Sequence, residues 1–143
     1  MSKNNAYSNV EVNVSPSCPS IFQTLTAVYQ QVGVEQFRQH GRIDPIYKEC
    51  CLIIAEMYVK SPKGVTRING QAAENFIVQE VYMELDGGHL QKVVEKFREQ
   101  GHRIHNKKAY LQTSLYNVMF EFQAEVINDL RTSGMIHPHE GGG

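Results

Sequence analysis

The chain has 143 residues, 41% of them hydrophobic and 20% charged, and a formal net charge of −1. Its length suits one domain able to bury roughly 70% of its unfolded surface, and its composition is that of a globular protein, not a disordered or fibrous one. The near-neutral balance provides no global field for nucleic acid or anionic lipid, so any such contact must be local.

No apolar run approaches the ~20 residues that a bilayer requires, and the opening MSKNNAYSNVEV has no apolar signal core. No membrane contact and a cytoplasmic location are the expectation. Residues 1–19, rich in Asn, Ser and Pro, read as a flexible tail, as do residues 134–143, leaving a single helical domain over 20–133. Within the first tail Val10, Val12 and Val14 alternate with the period of a half-buried strand, though no partner strand is visible.

From Ser20, a suitable N-cap, the residues Ile21, Leu25, Val28, Tyr29 and Val32 form one helical stripe that ends at Gly33. A short segment from Val34 to His40 stops at Gly41. Next, Asp44 is placed to cap a helix and Pro45 suits its first position, where no amide partner is needed. Ile46, Cys50, Ile53, Ile54 and Met57 give that helix a buried face, and Pro62 lies past its end. Cys50 and Cys51, adjacent on a helix, point about 100° apart, which suits neither a disulfide nor a chelate. With Cys18 in the tail, they read as small apolar residues in a reducing cytosol.

Val65, Thr66 and Ile68 favour extended backbone, and Asn69-Gly70 is a tight-turn signal, so a short hairpin or extended loop is expected. Helix resumes at about Ala72 and runs to Leu85 on Phe76, Ile77, Val81 and Leu85, halting at Asp86-Gly87-Gly88. Another helix, His89 to Gln100, buries Leu90, Val93, Val94 and Phe97. Lys96 and Arg98 lie near its C-terminus, where the macrodipole favours cations, and Gly101 stops it. The last helix starts near Asn106 and keeps a 3.6-residue period through Leu111, Leu115, Val118, Met119, Phe122, Val126 and Leu130. At roughly 25 residues it is longer than the average helix, so a break or bend is expected. Tyr110 and Tyr116 flank the stripe and can bury their rings while keeping a hydroxyl at its edge.

The sequence carries no P-loop, nucleophile elbow, zincin motif or dinucleotide fingerprint. His102 and His105, and His137 and His139, are pairs without the third and fourth ligands that a metal site needs. Glu80 and Glu84 lie one turn apart, as carboxylates do on many solvated faces. No enzymatic activity, cofactor or metal is expected. From Lys92 to Lys108, however, Lys92, Lys96, Arg98, Arg103, Lys107 and Lys108 stand against two glutamates. This basic edge is either a solvated surface or a contact for phosphates or an acidic partner.

The segment Ile104-x-Asn106-x-x-x-Tyr110-Leu111-x-x-x-Leu115-Tyr116-Asn117 resembles a signature of the C-terminal domain of RepA-type replication initiators. Those proteins belong to plasmids and integrative elements of Gram-positive bacteria, and the domain looks like that of the DnaD primosome protein. The likeness covers roughly Tyr29 to Leu130 and includes the extended turn Thr66-Arg67-Ile68-Asn69-Gly70. It implies a compact all-α, DnaD-like domain of about five helices with one short hairpin. The implied function is non-enzymatic: docking a host replication protein of the helicase-loader or primase class during mobile-element DNA replication. The alternative is a helical domain that binds nucleic acid directly through residues 92–108, whereas the docking reading expects only weak, non-specific DNA contact. Two departures stand out: this sequence does not include the winged-helix region that precedes this domain in such initiators, so either a fragment or a free-standing relative is expected, and it has no tryptophan. By this reading Asn106 caps the last helix, Leu111 and Leu115 pack, and Tyr110, Tyr116 and Asn117 tie it to its neighbours by hydrogen bonds. Lys107 and Lys108, on its first turn, where cations oppose the dipole, are the residues offered to a partner.

Overall fold

The computed structural model describes residues 20–132. Five helices and one hairpin follow in order: α1 (Ile21–Val32), α2 (Pro45–Tyr58), β1 (Val65–Ile68), β2 (Gln71–Glu74), α3 (Asn75–Met83), α4 (Gly87–Gln100) and α5 (Lys107–Thr132). Short 3-10 turns at Val34–Phe37 and Gly101–Arg103 join α1 to α2 and α4 to α5. The domain is therefore mostly α-helical with one small antiparallel sheet. Among the described residues no helix is long and apolar enough to cross a membrane. The tails 1–19 and 134–143, with the valine alternation at 10–14, Cys18, His137 and His139, lie outside the described residues.

Local chemistry sets the helix ends. Ser20 Oγ accepts the Gln23 amide at 3.2 Å, and Gly33 closes α1 in the left-handed region at φ 63°. Asp44 Oδ1 accepts the Ile46 amide at 2.9 Å ahead of Pro45, as its position in sequence implies. At the start of α4, Asp86 Oδ1 accepts the His89 amide while His89 Nδ1 accepts the Asp86 amide, both at 3.1 Å. This is a capping box with imidazole where glutamate is usual. The helix thus begins at Gly87, inside the glycine pair that reads in sequence as a stop. Gly87 is buried, and a Cβ there would sit 2.8 Å from the Val32 carbonyl oxygen at the end of α1.

The α2 helix is the central element, in contact with the other four helices. Tyr47, Cys50, Cys51, Ile53, Ile54, Ala55 and Met57 are all buried, so it is covered on more than the single face its spacing implies, and Ile46 is only half-buried. The core is completed by Val28 and Val32 of α1, Val78 and Tyr82 of α3, Leu90, Val93 and Val94 of α4, and Leu111, Leu115 and Val118 of α5.

The hairpin corrects the expected start of α3. Asn69 and Gly70 both have positive φ, 55° and 76°, the geometry of a two-residue type I′ turn. Such a turn demands a second strand, and Gln71–Glu74 pairs with Val65–Ile68 in register, Ala72 opposite Arg67. Ala72 and Ala73 are therefore strand, and helix begins only at Asn75. The buried stripe of α3 also differs: Asn75, Val78 and Tyr82 face inward and Leu85 follows, whereas Phe76 and Ile77 are exposed. Alanines of high helix propensity are overridden here by the turn that precedes them.

Glutamine amides close three helix C-termini, where carbonyls lack intrahelical partners. Gln36 Nε2 donates to the carbonyls of Val32 and Gly33 at 3.1 and 2.9 Å. Gln79 Nε2 reaches from α3 to Met57 and Lys60 at the end of α2, both at 2.9 Å. Gln31 Nε2 reaches from α1 to Tyr82 and Leu85 at the end of α3, both at 2.9 Å, while its Oε1 accepts the Tyr58 hydroxyl at 2.8 Å. The α5 helix runs through all 26 residues, with no break where one was expected. The side chains of Phe122 and Val126 lie outside those described.

Candidate functional site

The conspicuous motif sits where α5 leaves α4 and passes the hairpin. Asn106 Oδ1 accepts the Ala109 amide at 3.0 Å, the N-cap that the sequence implies. Half-buried Ile104 closes the preceding 3-10 turn through its amide, 3.2 Å from the Gly101 carbonyl. Leu111 and Leu115 are fully buried. Asn117 pairs with Asn69 by two reciprocal amide bonds of 3.0 Å each, which ties α5 to the turn of the hairpin. The two most distinctive stretches of the sequence, Thr66–Gly70 and Leu115–Asn117, therefore meet in space.

The tyrosines act differently from expectation. Tyr110 sets its ring against Phe97 at 6.0 Å, and Tyr116 against Phe120 at 5.5 Å, both tilted. The hydroxyl that binds α5 to the domain belongs instead to Tyr82 of α3, which donates to the Gln112 carbonyl at 2.6 Å. Tyr82 is buried in the core, and burial raises its pKa far above the usual phenol range.

The basic residues are distributed rather than gathered. Lys96 bridges α4 to α5 through Glu121 at 3.0 Å, across a cleft of ≈ 470 Å³ that Tyr110 and Asn117 also line. Arg98 lies two residues on, about 200° around the helix, and pairs with Asp44 at the start of α2. The Ile46 amide first, and Arg98 second, hold the Asp44 carboxyl below the usual carboxylate range. The same pair raises the Arg98 pKa. Lys107 and Lys108 both turn toward α2, to Glu49 at 3.0 Å and Glu56 at 2.9 Å. Arg103 Nε donates to His102 Nε2 at 3.3 Å in the exposed 3-10 turn, and Lys92 is half-buried on the α4 side that carries Lys96. Lys96, Arg98, Lys107 and Lys108 thus face carboxylates of their own chain. The missed partners had a faint signal in sequence: Glu49 and Glu56 are two helical turns apart, hence on one face of α2.

Among the described residues no group of three or more His, Cys, Asp or Glu is placed to hold a metal. Cys50 and Cys51 are free thiols, both buried, and burial raises both pKa values, that of Cys51 to about 12. A polar cleft of ≈ 670 Å³, which has no sequence signature, lies between the loop before α2 and α4. Its lining mixes Arg42 and Arg98 with Asp44 and Glu95, and Tyr47 stacks on Phe37 at 4.0 Å beside it. The charges there are of both signs and select no ligand class.

Comparison with curated proteins and with solved structures returns no match. A family model described as a family of unknown function, DUF6017, matches residues 37–141, from the end of the first 3-10 turn to beyond α5. The match takes in α2 to α5, the hairpin and the Asn69–Asn117 junction, and on that extent the chain belongs to the DUF6017 family.

Proposed function

We propose that this domain is a non-enzymatic protein-interaction module of a replication initiator, docking a host replication protein of the helicase-loader or primase class. The reading rests on the resemblance of its α5 motif and extended turn to RepA-type initiators. The observation that favours docking over direct DNA binding is the pairing of Lys96, Arg98, Lys107 and Lys108 with Glu121, Asp44, Glu49 and Glu56. A phosphate contact at any of these cations must first displace a carboxylate. It gains only the difference between two ion pairs at similar exposure. Lys96 and Arg98 also lie on different sides of α4, one facing α5 and the other the start of α2, so these two cations do not line up along one DNA backbone.

Two titrations test this reading. With duplex DNA the domain is expected to bind weakly and without sequence preference. A site using all six cations would show a log-log salt slope of about −5. With purified helicase-loader or primase-class protein from the same host, saturable binding is expected that persists at 200 mM salt. Tight, sequence-selective DNA binding would replace docking by the alternative. A domain that binds neither protein nor DNA would remove the replication reading altogether.

A further inference from the structure

The outward face of α3 carries a pattern that folding does not use. Phe76, Ile77, Glu80, Met83 and Glu84 are all exposed and fall within an arc of roughly 120°. Beside it, α5 presents Phe120 and Ile127, 51% and 46% exposed, two turns apart on one face. Between the helices runs a groove of ≈ 460 Å³ whose apolar lining includes Val81, Met83, Met119 and Phe120, flanked by Glu80 and Glu84. Exposed apolar surface gathered in a groove marks an interaction site, and methionine and phenylalanine side chains there adapt to a helical partner.

Charge identifies the occupant. From Gln71 to Asp86 the chain has four acidic residues and no lysine or arginine. Elsewhere Glu35, Asp44, Glu49, Glu56 and Glu121 each face a cation of the same chain. Among the described residues, Glu80 and Glu84 face none. A second copy of this chain is a poorer complement, because Lys96, Arg98, Lys107 and Lys108 on its α4 and α5 are already engaged by carboxylates. We infer that the α3–α5 groove docks a basic amphipathic helix of a partner protein, its apolar stripe on Met83 and Phe120 and its lysines or arginines on Glu80 and Glu84. This surface is separate from Lys107 and Lys108 and stands whether or not the partner belongs to replication.

The test uses the full chain and two synthetic 18-residue amphipathic peptides that share a leucine stripe and differ in having lysine or glutamate on the flanks. Amide NMR shifts on titration locate the binding, and fluorescence anisotropy measures it. The lysine peptide is expected to shift amides of α3 and of α5 around Phe120, and the glutamate peptide to bind at least about tenfold more weakly. Glu80→Lys with Glu84→Lys should weaken the lysine peptide by roughly tenfold, from loss of two exposed ion pairs and reversal of their sign. Lys107→Glu with Lys108→Glu should leave its affinity unchanged, and both variants should keep the parent circular dichroism spectrum. Equal affinity for the two peptides, shifts confined to other helices, or no binding by the full chain would each overturn the inference. So would self-association in sedimentation that Phe120→Glu abolishes, since a second copy would then cover the groove.

Discussion

Asn75 is 4% exposed and joins three elements. Its Nδ2 donates to the Ser61 carbonyl at 2.9 Å, its Oδ1 accepts the Thr66 hydroxyl at 2.6 Å, and its own amide donates to Gly64 at 2.9 Å. Thr66 Oγ1 in turn accepts from Lys60 Nζ at 3.3 Å. Replacing Asn75 with alanine leaves the buried Thr66 hydroxyl without its acceptor and takes from the Ser61 carbonyl one of its two donors, the other being the Gly64 amide. It should cost about 1–3 kcal/mol in urea denaturation, while Asn75→Asp keeps an acceptor but loses the donor. Leu115→Ala, at a fully buried position, should cost about 2–5 kcal/mol by the same measurement, and a change near zero would place it at the surface. Asp44 makes stability depend on pH. Its folded pKa is lowered, so its contribution is present above the unfolded value near 4 and is lost as pH falls below it. Asp44→Asn should flatten the acid limb of the stability curve. The sequence made Asp44, Ser20 and Asn106 legible because capping is a local contact between near neighbours. It left Asn75 hidden, since its partners are brought together only by the hairpin.

At the scale of elements, helix existence was readable from apolar spacing, whereas two boundaries were not. Ala72 and Ala73 read as helix but are held in β2 by the Asn69-Gly70 turn, and Gly87 reads as a stop but opens α4 because Asp86 and His89 cap it. Gly87→Ala should destabilise by about 1–3 kcal/mol in thermal or chemical unfolding, because the new Cβ meets the backbone of α1. The basic edge was visible as composition, but its meaning depends on α2, more than 40 residues earlier in sequence. For that reason Lys107→Glu with Lys108→Glu should not stabilise α5, as the helix dipole alone implies. Each reversal sets glutamate against Glu49 or Glu56, and the loss of two half-exposed bridges, roughly 0.2–1 kcal/mol each, offsets the gain at the N-terminus. Circular dichroism should show an unchanged helical spectrum with an equal or slightly lower melting temperature.

For the molecule as a whole, the central position of α2 places both thiols where reagents do not reach them. Cys50 and Cys51 should label only when the domain unfolds, so their labelling rate in increasing urea should track global unfolding. Their raised folded pKa values carry a definite sign. Above about pH 8.5 the unfolded thiols release protons that the folded ones keep, so stability falls as pH rises toward the folded value of about 12 for Cys51. Mutating both to serine should remove that part of the alkaline loss while lowering stability at neutral pH.

The amide of Gln31 has a consequence for where the domain can be cut. The family match begins at residue 37, after α1, yet Gln31 supplies the donors for Tyr82 and Leu85 at the end of α3 and the acceptor for Tyr58 of α2. A chain trimmed to the matched region loses these bonds together with the buried Val28 and Val32. The unit that recurs across a family and the unit that folds as one body are then different lengths of chain, and a single glutamine side chain marks the difference between them.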